Sequence, residues 1–368
     1  MDMDKLLAGV PAEFLAKAAA EPPVSGHLDL KRAAGIEVTR DTYLEAESRG
    51  LTLSELLETG DYDPSPTGSP LDAFERQLAA HGVRVGGQSP VTVELFYRSA
   101  PALLPEFILR EIRRGQAMRP ELAALIGASS RVTGNRYTPF DVNSTQDDPR
   151  WSLRPVGDGA NVPAILVTER VHSIDVPDYG LALKASYKAL RHRTTTQFKV
   201  LLWYIGYRMQ VDKLAMLVDV LINGDGNDNP ATTYQPAVSG SLTYDDIVGF
   251  WAEMHPFEMN TMMCAKTLLL DILTMTEFKD PMAGFRFHAT GEFVSPLGAN
   301  LVRCDDVAGD LILGIDRRFA AEEVITQPLT VEYDKIIEQR FEEAVITESV
   351  AFARLLPDAV IVLDTVFP

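Results

Sequence analysis

The chain has few of the residues and motifs from which catalytic or metal sites are usually built. Its 368 residues include two cysteines, Cys264 and Cys304, and neither has a CxxC companion. Free thiols in a cytosolic fold are the favoured interpretation of this pair, with a disulfide as the alternative. We find no Walker loop and no GxGxxG, HExxH or GxSxG motif. Enzymatic activity is therefore not indicated, and we expect no cofactor.

Metal-ligand patterns are also missing. The six histidines are scattered without ligand spacing, so each is interpreted as a surface or core residue. Asp225, Asn227 and Asn229 imitate the first ligand positions of a calcium loop. Pro230 stands where that loop needs glycine, and Pro236 where it needs glutamate. A hydrogen-bonded turn that ends a helix is the better interpretation.

Positive charge is scarce: the chain has 34 basic and 52 acidic residues, and its formal net charge is −18. Such a balance argues against a surface that grips nucleic acid tightly, but it does not exclude a container for nucleic acid. The charge is uneven: residues 1–95 carry −8, residues 96–222 carry +5 and residues 223–368 carry −15. The basic middle segment of one subunit can pair with the acidic segments of another. Alternatively, these charges simply form a solvated surface.

What the sequence does contain is a long apolar segment without proline, residues 198–222. Thr194, Thr195 and Thr196 offer side-chain caps before it. At about 1.5 Å per residue it predicts a helix roughly 40 Å long, a stiff spine suited to a plate-like subunit. Its five charges argue against a membrane span. Residues 1–20 show no apolar run behind a basic start, so no signal peptide is expected.

The spine is predicted to end at a turn made by Asn223, Gly224, Asp225 and Gly226, where Gly224 is expected to adopt a positive φ. Another helix should open at Leu104-Pro105-Glu106 and end near Gly115, because proline suits the first turn. Arginines 110, 113 and 114 lie on one side of it. They indicate a nucleic-acid helix or, more safely, an ion-paired surface helix.

Residues 1–95 read as short helices joined by proline and glycine, an extended arm that lies on something else. Thr52 with Glu55 forms a capping box there, residues 60–68 are loop, and residues 69–72 resemble an N-cap. Residues 127–170 alternate turn clusters with strand-like pieces and predict a two-stranded ribbon, which needs a partner for stability. The remaining predicted elements are helices at 179–189 and 243–255, and strands at 136–142, 151–156, 164–176, 282–295, 324–333, 345–355 and 360–363.

The order of these elements resembles the major capsid proteins of tailed bacteriophages, the Hong Kong 97-like fold, over roughly residues 100–368. The resemblance depends on an ordered set of segments, each weak alone. They are Leu104-Pro105-Glu106-Phe107-Ile108 with Arg110-Glu111-Ile112-Arg113, residues 171–179 leading into the spine, Asn223-Gly224-Asp225-Gly226, Leu329-Thr330-Val331-Glu332, Ala351-Phe352-Ala353-Arg354 and Asp358-Ala359-Val360-Ile361-Val362.

The resemblance implies an α+β fold with a defined domain plan. The domains would be an N-terminal arm and extension (1–126), an E-loop lying over a neighbouring subunit (127–170), a P-domain with the spine helix (171–222) and long strands (326–357), and an A-domain (223–325) with its C-terminal strand (358–368). Some members crosslink an E-loop lysine to a neighbour's asparagine. Residues 118–183 contain no lysine, so we predict no such crosslink. Residues 1–95 would be a retained arm or, alternatively, a scaffolding pro-segment.

The implied function is an icosahedral head shell that encloses double-stranded DNA. The implied partners are the chain itself in pentamers and hexamers, scaffolding, portal and decoration proteins, and DNA by non-specific contact, with no membrane; the location would be the virion, assembled in the host cytoplasm. An encapsulin-like compartment and an unrelated soluble enzyme are the alternatives. The candidate assembly residues are Arg110, Arg113, Arg114, Arg131, Arg136, Arg150, Trp151 and Arg154.

Overall fold

A computed structural model describes residues 38–59, 71–86, 90–142, 155–159, 167–188, 192–279, 297–336 and 341–368. The chain forms two compact units. One takes in the described residues up to Arg119 together with Tyr179–Gln210 and Pro328–Glu348. The other comprises Pro120–Asp178, Val211–Gln327 and Ser349–Pro368. Helices and sheets occur in mixed order, so the predicted α+β class is confirmed.

Short capped helices begin the first unit. They are α1 (Arg40–Ser48), α2 (Leu53–Leu57), α3 (Ala73–Ala80), α4 (Val93–Ser99) and α5 (Leu104–Ala117), with a 3₁₀ turn at Pro101–Leu103. The predicted capping box of α2 is present, with Thr52 accepting from the Glu55 N–H. Helix α3 is capped by Asp72; the predicted cap at Ser69 and Pro70 lies outside the described residues. Helix α5 begins at Leu104 as predicted and carries proline in its first turn.

These helices pack into one core. Leu57, Phe74, Phe96 and Ile108 are each at most 2% exposed and belong to the same apolar cluster. The described part of the predicted arm is therefore a packed part of this unit, because apolar residues of α2, α3 and α4 share its core with α5. An arm role remains a prediction for residues 1–37, which lie outside the described residues. The predicted domain boundaries likewise stay a prediction.

The spine helix is present as α7 (Thr195–Asn223). It begins where Thr194 and Gln197 exchange side-chain-to-backbone hydrogen bonds of 3.4 Å. In the first unit, Phe198, Leu202 and Ile205 join the core of α1–α5. In the second unit, Leu214, Leu217, Val218 and Leu221 join a different apolar cluster. The helix thus supplies apolar side chains to both units.

The ribbon, defined here as strands β2 to β5 together with residues 170–173 between β4 and β5, follows α6 (Glu121–Leu125) and β1 (Ile126–Arg131). It pairs β2 (Arg136–Tyr137) with β5 (Ile174–Asp175), and β3 (Phe140–Val142) with β4 (Val167–Glu169), both antiparallel. The predicted strand at 164–176 is two short strands, because Arg170 between them turns inward to an ion pair. The predicted turns and strand at residues 143–154 lie outside the described residues.

A four-stranded sheet of the described residues has the order β1-β11-β12-β6. Its members are β6 (Asp178–Ser186), β11 (Ala321–Ile336) and β12 (Phe341–Arg354), with β1 parallel to β11. The strands predicted at 324–333 and 345–355 are confirmed. The helix predicted at 179–189 is wrong, because this segment forms strand β6.

The second unit contains β7 (Thr232–Tyr234), α8 (Tyr244–Glu253), β8 (Thr261–Cys264), α9 (Lys266–Thr274), α10 (Thr276–Lys279), β9 (Asn300–Arg303), β10 (Leu311–Ile315) and β13 (Val360–Asp364). Five strands form a sheet of order β7-β13-β10-β8-β9. Alternate residues belong to separate cores: Met263, Leu313 and Val362 pack with α7, whereas Ile312 and Leu363 pack with α8 and α9. The sheet is therefore buried on both faces. The strand predicted at 282–295 lies outside the described residues.

Candidate functional site

The turn that ends the spine helix has the predicted backbone geometry. Gly224 and Gly226 have φ of +89° and +88°, which glycine adopts without steric cost. A Cβ on Gly224 would lie 2.6 Å from Asn229 Oδ1 and 3.0 Å from Asn229 backbone atoms. The Asp225 N–H donates to Asn229 Oδ1 at 3.1 Å, and the Asn223 amide donates to Asp219 at 2.7 Å. The turn is thus held by its own side chains.

Asp225 is the centre of a buried ionic cluster. Its carboxylate accepts from Arg170 at 2.5 Å, from the Arg354 N–H at 3.1 Å and from Asn227 at 3.1 Å. The side chains of Arg170 and Asp225 are 5% and 0% exposed. Buried charges of this kind require pairing and full hydrogen bonding. Asp225 is therefore engaged by residues of the same chain, which agrees with the predicted helix-ending turn.

Arg354 is the third member of the cluster. Its guanidinium donates to the carbonyl oxygens of Asn229 and Pro357. Burial lowers the pKa of Arg354 to about 10, while the nearby Asp225 carboxylate opposes that shift and Arg170 adds to it. Arg354 remains cationic at neutral pH. Arg170 also donates to the Leu355 carbonyl at 3.2 Å, so the end of β4, the spine turn and the end of β12 meet at this cluster.

The other side of the ribbon is fixed to β11. Glu322 is 4% exposed, and its carboxylate accepts from Tyr137 Oη at 2.8 Å and from Ser130 Oγ. Burial, together with the Glu322 carboxylate, raises the pKa of Tyr137 to about 12. Thr326 Oγ1 donates to the Gly134 carbonyl at 3.0 Å. These part-buried and exposed polar contacts therefore hold β2 and the residues before it against β11.

Beyond these anchors the ribbon exposes apolar side chains. Phe140, Val167 and Val171 are 38%, 60% and 89% exposed. In register, Phe140 lies opposite Glu169. A two-stranded ribbon is marginal without further packing, so these side chains mark a surface that needs cover.

The predicted arginines lie in three kinds of environment. Arg110 pairs with Asp72 and lies 4.9 Å over the Phe74 ring, and Arg114 donates to Glu111 at 3.1 Å. Arg113 is partly buried on the same helix. The pairs made by Arg110 and Arg114 agree with the interpretation of α5 as an ion-paired surface helix.

The ribbon arginines are more accessible. Arg131 is exposed at the end of β1, and Arg136 donates to Asp175 at 3.0 Å on an open surface. Arg150, Trp151 and Arg154 lie outside the described residues. The role of all these residues in assembly stays a prediction.

A polar cluster that sequence reasoning missed joins α5 to the spine. Trp203 Nε1 donates to Glu111 Oε2 at 2.6 Å, and Lys199 Nζ lies 3.9 Å from Glu111 Oε1 and 5.7 Å from the Trp203 ring centre. Glu111 and Trp203 are 92 residues apart in sequence. No local pattern signals this contact, which depends on the packing of the two helices.

The described residues offer little chemistry beyond packing. Cys264 and Cys304 are free and buried, and burial raises the pKa of both thiols, to about 12 for Cys264. Among the described residues no three His, Cys, Asp or Glu side chains converge as metal ligands. None of the described helices combines the length and apolar character of a membrane span. The buried charges described above are engaged within the chain, by opposite charges at Asp225 and Glu111 and by hydroxyl groups at Glu322.

No protein-family model and no curated protein matches the chain. Solved structures do. The virus-like particle from Pyrococcus furiosus is 11% identical with a TM-score of 0.46, covering 70% of this chain and 98% of its own. The capsid of the cyanophage P-SCSP1u is 15% identical (TM-score 0.48; 66% and 87% covered). The encapsulin complex of Synechococcus elongatus is 13% identical (TM-score 0.47; 67% and 88% covered). The solved structures to which the chain is similar are thus all shells: a virus-like particle, a phage capsid and an encapsulin.

Proposed function

We propose that the chain is a structural subunit, a major capsid protein that assembles into the icosahedral head shell of a tailed phage around double-stranded DNA. The observation that carries this proposal is the ribbon, which is anchored at its base and exposes apolar side chains beyond it. The proposed role is mechanical and involves no catalysis.

The ribbon is built for contact with another molecule. Arg170 and Tyr137 hold its base through Asp225 and Glu322, so its strands start from a fixed position. Preorganisation of this kind reduces the entropy lost on binding. Val167 and Val171 would stay in water in a monomer. Self-association would bury both valines of each copy against a neighbouring copy. Such repeated contacts are what a closed shell requires.

Charge supports a DNA container that does not bind its content strongly. The net charge of −18 opposes wide phosphate binding. Arg110 and Arg114 of α5 are engaged by Asp72 and Glu111 within the chain. DNA would therefore be a non-specific content of the shell. The further partners in this proposal are pentamers and hexamers of the chain with scaffolding, portal and decoration proteins, in the virion after assembly in the host cytoplasm.

Electron microscopy of the purified protein, with absorbance at 260 and 280 nm on the same fraction, tests the proposal. Closed icosahedral shells with a nucleic-acid signal in native particles are expected. Shells that hold a protein cargo and no DNA would instead support the encapsulin-like alternative. Small oligomers alone, even after co-expression with neighbouring genes that supply a scaffold, would contradict both shell functions.

A further inference from the structure

A small cavity lies at the edge of the five-stranded sheet, beside β9, the last strand in the order β7-β13-β10-β8-β9. Its volume is about 200 Å³. Helix α6 and strands β8 and β9 line it mainly with apolar side chains. The lining includes Glu121, Ala124, Leu125, Met263, Val302 and Arg317.

The size of the cavity limits what it can hold. Small-molecule sites usually measure about 300–1,000 Å³, so this cavity is small for a cofactor or metabolite. It corresponds to roughly seven water molecules in volume, enough for one aliphatic side chain. The buried walls, Leu125 at 3% and Met263 at 0% exposure, favour an apolar occupant.

Glu121 and Arg317 add one charge of each sign to this mainly apolar site; Glu121 is half-buried, whereas Arg317 lies at the exposed rim. The backbone N–H of Arg317 donates to Asn260 Oδ1 at 3.1 Å, which fixes the position of the residue. Its side chain is exposed, and within the described ranges no carboxylate pairs with it. A matching occupant would combine an aliphatic side chain with a neighbouring carboxylate.

The chain itself carries that combination on α9. Leu270 is 52% exposed and is followed by the exposed Asp271, whereas Leu268, Leu269 and Ile272 of the same helix are buried. These buried residues pack on the sheet face that carries Ile312 and Leu363. The cavity opens on the opposite face, since Leu125 and Met263 belong to the core on the α7 side.

Leu270 and the cavity thus lie on opposite faces of one sheet, so they cannot meet within one copy. We propose that Leu270 of one copy enters this cavity on the next copy and that Asp271 pairs with Arg317. The contact is heterologous, joining two different surfaces, and repeats around a ring when the rotation closes. It rests on the proposed function, because it requires a chain that assembles with itself.

Charge reversal in the full-length chain tests the contact. Arg317→Glu and Asp271→Lys each place like charges together and should raise the concentration for half-assembly by about tenfold. The double variant restores an opposite pair, and its concentration for half-assembly should return to within about twofold of wild type.

Two further variants test the cavity itself. Leu270→Ala should weaken assembly by removing the occupant, and Ala124→Trp should weaken it by filling the cavity. Leu44→Ala, at a 50% exposed leucine of the first unit, is the matched control and should have no effect.

Assembly is followed by sedimentation and electron microscopy, and circular dichroism confirms folding of each variant. Restoration by the charge swap would support the contact. Single variants that assemble like wild type, or a folded double variant that stays as defective as the singles, would overturn it and leave the shell function standing. A wild-type chain that never assembles would overturn the contact and the proposed function together.

Discussion

Asp225 concentrates the polar contacts of the spine turn, and its two arginine partners come from distant parts of the sequence. Asp225→Asn should lower the free energy of unfolding by about 3–5 kcal/mol, because it leaves Arg170 buried without its paired carboxylate. The matched control is Asp175→Asn, which breaks a pair whose side chains are 75% and 76% exposed. Exposed pairs contribute about 0–1 kcal/mol. Urea unfolding followed by circular dichroism measures both; equal effects would contradict the buried-cluster argument.

Asp316 links stability to pH in the second unit. Burial alone would raise the pKa of Asp316, but hydrogen bonds from Arg318 and the Glu258 N–H hold that pKa below its ordinary value of 3.8. The carboxylate therefore stabilises the fold above pH 3.8, and this contribution is lost as pH falls through its lowered folded-state pKa. Asp316→Asn should be less stable than wild type at pH 7, with a difference that shrinks under acid. A difference that stays constant down to pH 2 would contradict this assignment.

The sequence predicts part of this residue-level detail. The Asn-Gly-Asp-Gly pattern indicates a helix-ending turn, because glycine tolerates positive φ at Gly224. It does not reveal that Arg170 and Arg354 meet Asp225, since those partners are 55 and 129 residues away. Such contacts, an ion pair for Arg170 and a backbone N–H hydrogen bond for Arg354, depend on tertiary packing and leave no local periodicity.

Helix α5 and the spine approach closely enough for backbone contact. A Cβ on Gly115 would lie 2.2 Å from the Trp203 carbonyl oxygen, and one on Gly206 would lie 2.1 Å from the Ile112 carbonyl oxygen. Gly115→Ala should therefore destabilise the first unit by about 1–3 kcal/mol, although alanine is the better helix former. Gly86→Ala, with nothing within 4 Å of its Cβ, is the control and should be near neutral. Thermal unfolding compares them; a stabilised Gly115→Ala protein would contradict the close contact.

Element prediction succeeds where caps and periodicity agree. Thr52 and Thr243 each form capping boxes at the starts of α2 and α8, and the long strands β11 and β12 form at the predicted segments, although both are longer than predicted. It fails at Asp178–Ser186, which was predicted as a helix from residue 179. Alanine and leucine there suit a helix, but pairing with β12 decides in favour of a strand, a tertiary effect that overrides local propensity.

At the scale of the whole molecule, some apolar side chains are buried within a single copy and others remain exposed. The described helices of residues 38–99 pack into the first unit, although the sequence suggested an arm that lies elsewhere. Proline and glycine between these helices make the segment look extended in the sequence, although α2, α3 and α4 each bury apolar residues. The ribbon, in contrast, keeps Val167 and Val171 exposed. Contacts between copies are thus expected at the ribbon more than at these helices.

The ribbon surface predicts a specific assembly defect. Val167→Asp with Val171→Asp should reduce the assembled fraction about tenfold or more, because burying each valine in an interface contributes roughly 1.5 kcal/mol and a charge there adds a desolvation cost. The folded subunit should be unaffected, since both positions are exposed in the single copy. Leu44→Asp, at 50% exposure in the first unit, is the matched control. Sedimentation velocity at equal concentrations measures the assembled fraction. A ribbon variant that assembles as well as Leu44→Asp and wild type would show that the ribbon does not bind a neighbouring copy.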